Sequence, residues 1–176
     1  MRDRKKHIIL ESFNSLLSQY PFDRITVEMI ANKSGISKAT FYRYFMDKYD
    51  VMNFSYKRLV EGLFTHETCH SWKDLFYHLA YESKKDAIRV GRAYSSQGEN
   101  SYPNFLFDYS YKKVEEVTIR CRGTGLTSEE EVGLTIFCHG TVGVTHFWVC
   151  GKLNTTAEEL AQQLYNAMPE TLRDLW

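Results

Sequence analysis

The sequence predicts an all-α protein, and three observations support this fold class. Apolar residues recur at spacings of three and four along most of the chain, which is the period of an amphipathic helix. Three prolines and ten glycines among 176 residues leave room for long helices. No segment alternates between apolar and polar residues over a length that demands a β-sheet. In chain order, the pattern predicts nine helices.

The first four helices occupy the N-terminal third of the chain. The first is predicted over residues 4–20, with Ile9, Phe13 and Leu16 on one stripe, and Pro21 ends it. Two short helices follow over residues 27–33 and 38–44. The fourth is predicted from Asp47, whose carboxylate suits a helix N-terminus, to about residue 66.

Five further helices are predicted from their start and stop signals. Ser71 is a candidate N-cap for a helix over 72–84, and a sixth helix covers 86–95. Pro103 opens the seventh, which ends near residue 122, before the Gly123 turn. The pairs Thr127 with Glu130 and Thr155 with Glu158 predict capping boxes for the eighth and ninth helices.

Residues 26–45, TVEMIANKSGISKATFYRYF, predict two helices joined by a tight turn. Gly35 tolerates the left-handed backbone that such a turn needs, and Ser37 is a candidate cap for the second helix. Ile30, Ala31, Phe41 and Phe45 form the predicted inner face. Cations, hydroxyls and phenols form the outer face, which suits contact with phosphates and base edges. Its members are Lys38, Thr40, Tyr42, Arg43 and Tyr44.

This run resembles the TetR family of bacterial transcriptional regulators. The resemblance is carried by Thr26, Ile30-Ala31, Ser34 to Ser37, Lys38 to Phe45, and Asp47-Lys48. Ala39 is a departure, since the family favours glycine there. The resemblance implies a nine-helix TetR-like fold, with a helix-turn-helix DNA-binding domain over residues 1–47 and a dimerisation and effector domain over 48–176.

A DNA-binding role is predicted for one set of residues. Lys38 and Thr40 are candidates for base contacts, and the Ala39 methyl group for contact with a thymine methyl group. The remaining candidates are expected at phosphates: Arg4, Lys5, Thr26, Ser37, Tyr42, Tyr44 and Lys48. Arg43 is either a further DNA contact or a solvated surface cation, and the tyrosines could instead pack between helices.

The charge distribution supports this assignment. The net charge is zero, but residues 1–60 hold 11 Lys and Arg against 6 Asp and Glu, and residues 61–176 hold 11 against 16. The first part is therefore +5 and the second −5. A basic first third beside an acidic remainder fits a DNA-binding module on a body that does not bind DNA.

We expect the working unit to be a homodimer on a near-palindromic operator, because one short reading helix makes few contacts. Small residues in the eighth helix (Gly133, Gly140, Gly143) permit close helix packing, and the ninth helix adds an apolar stripe. The stripe contains Leu160, Ala161, Leu164 and Met168. These faces could equally pack within one chain. The family's usual mode is repression, by blocking the polymerase.

The body is rich in aromatic residues, which suits an apolar pocket for a small-molecule inducer. The candidate lining residues are Phe76, Tyr77, Tyr109, Cys138, His139 and His146. The alternatives are that these residues form ordinary core and that a co-regulator protein, rather than a small molecule, controls the regulator. A helical adaptor for protein contacts is a more distant alternative to DNA binding.

Other chemistry has little support in the sequence. There is no Walker loop, GxGxxG, HExxH or GxSxG motif, and the S-x-x-K match at Ser110–Lys113 lacks its companion motifs. We therefore expect no enzyme and no cofactor. His66, Cys69 and His70 have the spacing of metal ligands on one helix face, but no fourth ligand is evident. Without a secretory signal, an apolar run of membrane-spanning length or a CxxC pair, we expect a cytoplasmic protein.

Overall fold

A computed structural model describes residues 2–176, with side chains from Arg4 onward. The described chain contains ten α-helices and one short 3-10 helix, and no strand, so the predicted all-α class is confirmed. The helices are α1 (Arg2–Leu17), the 3-10 helix (Phe22–Arg24), α2 (Val27–Ser34), α3 (Lys38–Tyr42), α4 (Lys48–Leu63), α5 (Trp72–Lys85), α6 (Ala87–Tyr94), α7 (Tyr102–Arg122), α8 (Ser128–Val149), α9 (Ala157–Ala167) and α10 (Glu170–Arg173).

The prediction of nine helices missed α10. This helix has only four residues and follows Pro169, so it is too short to show a helical period in the sequence. Its Leu172 is fully buried, and the Leu172 carbonyl accepts a hydrogen bond of 3.2 Å from Trp72 Nε1. The short helix therefore anchors the C-terminal segment.

The two predicted capping boxes had different outcomes. The box at Thr127 and Glu130 is confirmed at the start of α8. The box predicted at Thr155 and Glu158 is wrong by one residue, because Thr156 and Glu159 form it at the start of α9. The sequence matches the capping pattern in both registers. The Thr155 carbonyl accepts a bond of 2.8 Å from Trp148 Nε1, and Trp148 is almost fully buried.

The chain divides into two compact units. The first contains the residues up to Leu59 together with Ile88–Tyr102. Its core is formed by Ile9, Phe13, Phe22, Ile30 and Phe41, each at most 1% exposed. In α6, Arg92 Nη1 donates a bond of 2.8 Å to the Leu17 carbonyl at the end of α1. This division by contacts does not test the predicted boundary between functional domains at residues 47 and 48, which stays a prediction.

The second unit contains Val60–Ala87 and Pro103–Trp176, and α9 packs along α5 within it. The predicted apolar stripe of α9 is buried inside the chain, so the internal-packing alternative holds for Leu160, Ala161, Leu164 and Met168. At one end of the unit, Trp176 stacks on Phe64 with ring centroids 4.5 Å apart and meets Trp72 edge-on at 5.0 Å.

Candidate nucleic-acid interface

The backbone of residues 26–42 forms a helix-turn-helix through three local devices. Thr26 Oγ1 accepts a bond of 3.2 Å from the Met29 N–H and caps α2. Gly35 has φ of 66°, the left-handed conformation that lets the chain leave α2 sharply. Ser37 Oγ accepts a bond of 3.1 Å from the Thr40 N–H and caps α3. The roles of Gly35 and Ser37 match the sequence prediction, whereas Thr26 was predicted only as a phosphate contact at the start of α2.

An aromatic inner face fixes α3 to the rest of the first unit. Phe41 and Phe45 are at most 3% exposed, and their ring centroids lie 6.1 Å apart. Phe45 meets Phe54 of α4 edge-on at 5.4 Å. The Lys6 ammonium lies 4.8 Å from the centre of the Phe54 ring, a cation–π contact that ties α1 to the same cluster. The predicted inner face is thus present, with Lys6 as a member that the sequence analysis did not single out.

The outer face of α3 is open to solvent. Lys38, Ala39 and Arg43 are exposed, and Tyr42 is 58% exposed. Among the described residues, neither the Tyr42 hydroxyl nor the Arg43 guanidinium has a hydrogen-bond partner. These groups are therefore available to an external ligand, as a DNA-reading face requires.

Two predicted contact residues are less exposed than the others. Tyr44 and Thr40 are half-buried. Thr40 Oγ1 already accepts a bond of 3.0 Å from Ser37 Oγ. Thr26 and Ser37 are exposed at the starts of α2 and α3, and in α1 Arg4 is exposed while Lys5 is half-buried.

An ion pair that the sequence analysis missed joins the two motif helices. Lys38 Nζ lies 2.8 Å from Glu28 Oε2, and both side chains are more than half exposed. The hydrogen bond between them lowers the pKa of Glu28 and raises the pKa of Lys38. Ten residues separate the partners, so no pattern within one helix could reveal the pair.

Lys48 has internal partners in this structure. Its ammonium donates to the carbonyls of Phe22 at 2.9 Å, Ile25 at 3.0 Å and Asp23 at 3.4 Å, and lies 4.4 Å from the centre of the Phe22 ring. Burial lowers the pKa of Lys48. An ammonium has three donors. Lys48 therefore ties the end of the 3-10 helix to the start of α4, and its predicted phosphate contact stays a prediction.

The predicted effector residues all lie in the second unit, each beside its own ring partner or in the core. Measured between ring centroids, Phe76 lies 5.9 Å from Phe137 and Tyr77 lies 6.2 Å from Tyr81. Tyr109 stacks on Phe105 with centroids 5.5 Å apart. His139 stacks on Phe107 with centroids 4.1 Å apart, and His146 lies 6.2 Å from Phe147. Cys138 is 1% exposed.

Burial raises the pKa values of two of these side chains further above physiological pH. It raises the pKa of Cys138 to about 12 and that of Tyr109 to about 12. Both groups are therefore neutral at physiological pH. Their role as pocket lining stays a prediction.

The three candidate metal ligands, His66, Cys69 and His70, each have their own local contacts. Cys69 is 4% exposed, and burial raises its pKa to about 11, which disfavours the thiolate that metals bind. His66 Nδ1 lies 2.9 Å from the Thr68 hydroxyl, and the backbone N–H of His70 donates to Asp74. Among the side chains that the structure describes, from Arg4 onward, no three His, Cys, Asp or Glu residues are grouped to hold a metal ion.

The S-x-x-K match lies on α7, and its lysine is engaged elsewhere. Lys113 Nζ lies 2.7 Å from Glu116 Oε2 on the next turn of the helix and 5.4 Å from the centre of the Phe64 ring. The lysine therefore belongs to a surface ion pair.

Comparison with known proteins agrees with this geometry. Residues 9–53 match the family model described as bacterial regulatory proteins of the tetR family. No curated protein sequence matches the chain. The fold is similar to that of a TetR transcriptional regulator from Rhodococcus sp. RHA1, with 18% identity, a TM-score of 0.62, and coverage of 98% of this chain and 97% of the other.

Two further solved structures share the fold. The dihydroxyacetone kinase operon activator DhaS has 15% identity, a TM-score of 0.65, and coverage of 93% of each chain. The fatty acid degradation regulator FadR from Bacillus halodurans has 18% identity, a TM-score of 0.61, and coverage of 96% of each chain. Residues 9–53 therefore match the helix-turn-helix region of the tetR family of bacterial regulatory proteins, and the chain as a whole has the fold of TetR regulators.

Proposed function

We propose that this regulator binds a near-palindromic operator as a homodimer and represses transcription by blocking the polymerase. An effector, either a small molecule or a co-regulator protein, would modulate this binding. We place the protein in the cytoplasm, where such DNA is accessible. The observation that carries the proposal is the open outer face of α3, on which the Tyr42 hydroxyl and the Arg43 guanidinium have no hydrogen-bond partner among the described residues.

The small size of the reading element favours two copies. The helix α3 has five residues, so one copy reaches only a few base pairs. Two copies in a symmetric dimer would read two half-sites about 34 Å apart. Such a dimer needs a self-complementary surface elsewhere on the chain.

The surface of α8 fits that need. Val132 is 61% exposed, Ile136 is 68% exposed and Phe147 is 50% exposed, at spacings that place them on one side of the helix. Gly140 and Gly143 lie between them, and a Cβ atom added at either glycine would meet nothing within 4 Å. Glycine inside a helix costs about 1 kcal/mol relative to alanine. No neighbour among the described residues explains these glycines, which supports close approach of a second α8.

The apolarity of α8 has a second interpretation that the sequence analysis did not expect. By length and composition, Ser128–Val149 is long and apolar enough to cross a membrane. The prediction of no membrane-spanning segment rested on the absence of a long uninterrupted apolar run. The threonines and glycines of α8 interrupt such runs but lower its mean hydropathy little. A dimer interface accounts for the same apolar face. Glu129 and Glu131 in the first turn suit the helix N-terminus.

A selection of bound fragments from random duplex DNA tests the proposal. We expect wild-type protein to enrich an inverted repeat, and the Lys38→Ala and Tyr42→Phe variants to bind it more weakly. Tyr81→Phe is the matched control for Tyr42→Phe, because Tyr81 is also an exposed tyrosine, at 52%, but lies in the second unit. Absence of any enriched sequence with wild-type protein would refute the proposal.

Two further measurements separate the remaining alternatives. Steep weakening of DNA binding with rising salt is expected for a protein that contacts phosphates, and a helical adaptor would lack it. Transcription in vitro from a promoter carrying the selected repeat gives the sign of regulation. We expect less transcript, and an increase would instead resemble the activator role that the name of DhaS states.

A further inference from the structure

The ion pair between Glu28 and Lys38 lies on the surface that the proposed function assigns to DNA. Lys38 is the first residue of α3, and Glu28 is the second residue of α2. Glu28 is an exposed carboxylate beside groups that would meet a polyanion. A lone carboxylate there would repel phosphates, so its presence calls for a specific reason.

The pairing changes what Lys38 is able to read. A free lysine ammonium is a point charge on a flexible stem and accepts many partners. At 2.8 Å from Glu28 Oε2, the ammonium has a hydrogen-bonded neighbour and a preferred direction. The two helices therefore present a donor and an acceptor side by side, rather than a single mobile cation.

We infer that Glu28 and Lys38 together read one G·C base pair in the major groove, with Lys38 donating to guanine O6 and N7 and Glu28 accepting from cytosine N4. In the G·C pair, O6 and N4 are hydrogen-bonded to each other at about 2.9 Å. Each also presents a second lone pair or hydrogen to the major groove. A donor and an acceptor 2.8 Å apart match this spacing and its polarity. This inference rests on the proposed function.

The match predicts a rank order among the four base pairs. A T·A pair, with thymine in the place of guanine, also offers an acceptor and a donor in this order, but lacks N7 and carries a methyl group. It should bind second best. A·T and C·G place a donor opposite the ammonium and an acceptor opposite the carboxylate. We expect these two to bind about 5- to 150-fold more weakly than G·C, the usual range for a mismatched base pair.

The first test compares selected sequences for wild type and Glu28→Ala. We expect wild-type protein to require G·C at one position of each half-site, and the variant to lose that preference about fivefold or more while keeping the others. Glu116→Gln is the control, because it removes the exposed carboxylate of another Lys–Glu pair, with a separation of 2.7 Å, on α7. It should leave every preference unchanged.

The second test needs no protein variant. N4-methylcytosine keeps its pairing with guanine but replaces the amino hydrogen that faces the major groove. At the assigned position, we expect it to weaken wild-type binding about fivefold or more. It should have no effect on Glu28→Ala. At other cytosines of the half-site, this difference between the two proteins should be absent.

The results of these tests separate failure of the base-pair inference from failure of the proposed function. If wild type enriches an inverted repeat but Glu28→Ala weakens binding to all sequences equally, or methylation affects both proteins alike, the pair does not read a base and only the inference falls. If wild type enriches no sequence, the proposed function falls together with the inference.

Discussion

The helices α8 and α9 follow one another in the sequence, and their apolar residues have opposite fates. In α9, Leu160 is 1% exposed and packs inside the second unit along α5. In α8, Ile136 is 68% exposed beside two glycines with open space above them. An apolar stripe thus shows that a helix has a partner, but not whether that partner belongs to the same chain.

The first turns of α8 and α9 also differ in how far they are buried. Both begin with a capping box. Glu130 of α8 is 7% exposed and forms two hydrogen bonds, of 2.7 and 2.8 Å, with the Arg122 guanidinium. Glu159 of α9 is exposed. In α8, the first turn is therefore anchored in the chain and the apolar face further along the helix is exposed. In α9, the first turn is exposed and the apolar face is buried.

The largest effect should come from the buried helix. Leu160→Ala removes a fully packed side chain and leaves a cavity, so we expect the free energy of unfolding to fall by about 2–5 kcal/mol. Ile119→Ala, at an exposed position of α7 off the proposed interface, should stay within about 0.5 kcal/mol of wild type. Denaturant unfolding at matched protein concentration measures both. A loss below 1 kcal/mol at Leu160 would contradict the internal packing of α9.

The next effect concerns the open face of α8. Ile136→Asp should leave the folded chain intact but convert the proposed dimer to monomer, because it buries a charge against an apolar partner surface. Sedimentation velocity measures the change. Ile119→Asp on α7 is the control, since Ile119 is also exposed, at 49%, and lies off the proposed interface. If both variants sediment as wild type does, α8 is not the interface.

A smaller, pH-dependent effect should separate the two capping boxes. The hydrogen bond from Arg122 is the main cause that holds the pKa of Glu130 well below its ordinary value of 4.5. Because the folded-state pKa is lowered, its contribution to stability is fully present above about pH 5 and is lost as the pH falls below 4.5.

Glu130→Gln should therefore destabilise the protein at pH 7 more than Glu159→Gln does. The difference between wild type and Glu130→Gln should narrow as the pH is lowered. Thermal unfolding across this pH range is the measurement. If the difference in stability between wild type and Glu130→Gln stays constant down to about pH 3, the lowered pKa of Glu130 is contradicted.

The smallest effect should distinguish the glycines of α8. Gly143→Ala should stabilise the isolated helix by about 1 kcal/mol and weaken dimerisation, because the added methyl group occupies the contact surface. At Gly133, an added Cβ would lie 3.2 Å from Pro169 Cγ, so an internal contact offsets the gain. Unfolding and dimer dissociation measured on both variants separate the two effects. A tighter Gly143→Ala dimer would exclude close helix contact at this residue.

The sequence predicted the local features of the DNA-binding motif well. Gly35 and Ser37 act on backbone groups within a few residues, so their roles can be inferred from neighbouring positions. The partners of Lys48 and Lys38 could not be predicted in this way. They lie 23–26 and 10 residues away, and only the packing of separate helices brings them together.

The body was harder to predict for a related reason. Its helices were found from caps and prolines, but the direction of each apolar face depends on which helices pack together. The one-residue error at α9 arose because two overlapping stretches satisfy the same capping pattern, and the folded chain uses the second of them.

The placement of the tryptophans has a spectroscopic consequence. All three, Trp72, Trp148 and Trp176, lie in the second unit, and the first unit contains tyrosine and phenylalanine but no tryptophan. Selective excitation of indole therefore follows the unfolding of the second unit alone, whereas far-ultraviolet circular dichroism follows the helices of both. Non-coincident transitions from these two signals would show that the DNA-reading unit and the body unfold as separate cooperative blocks.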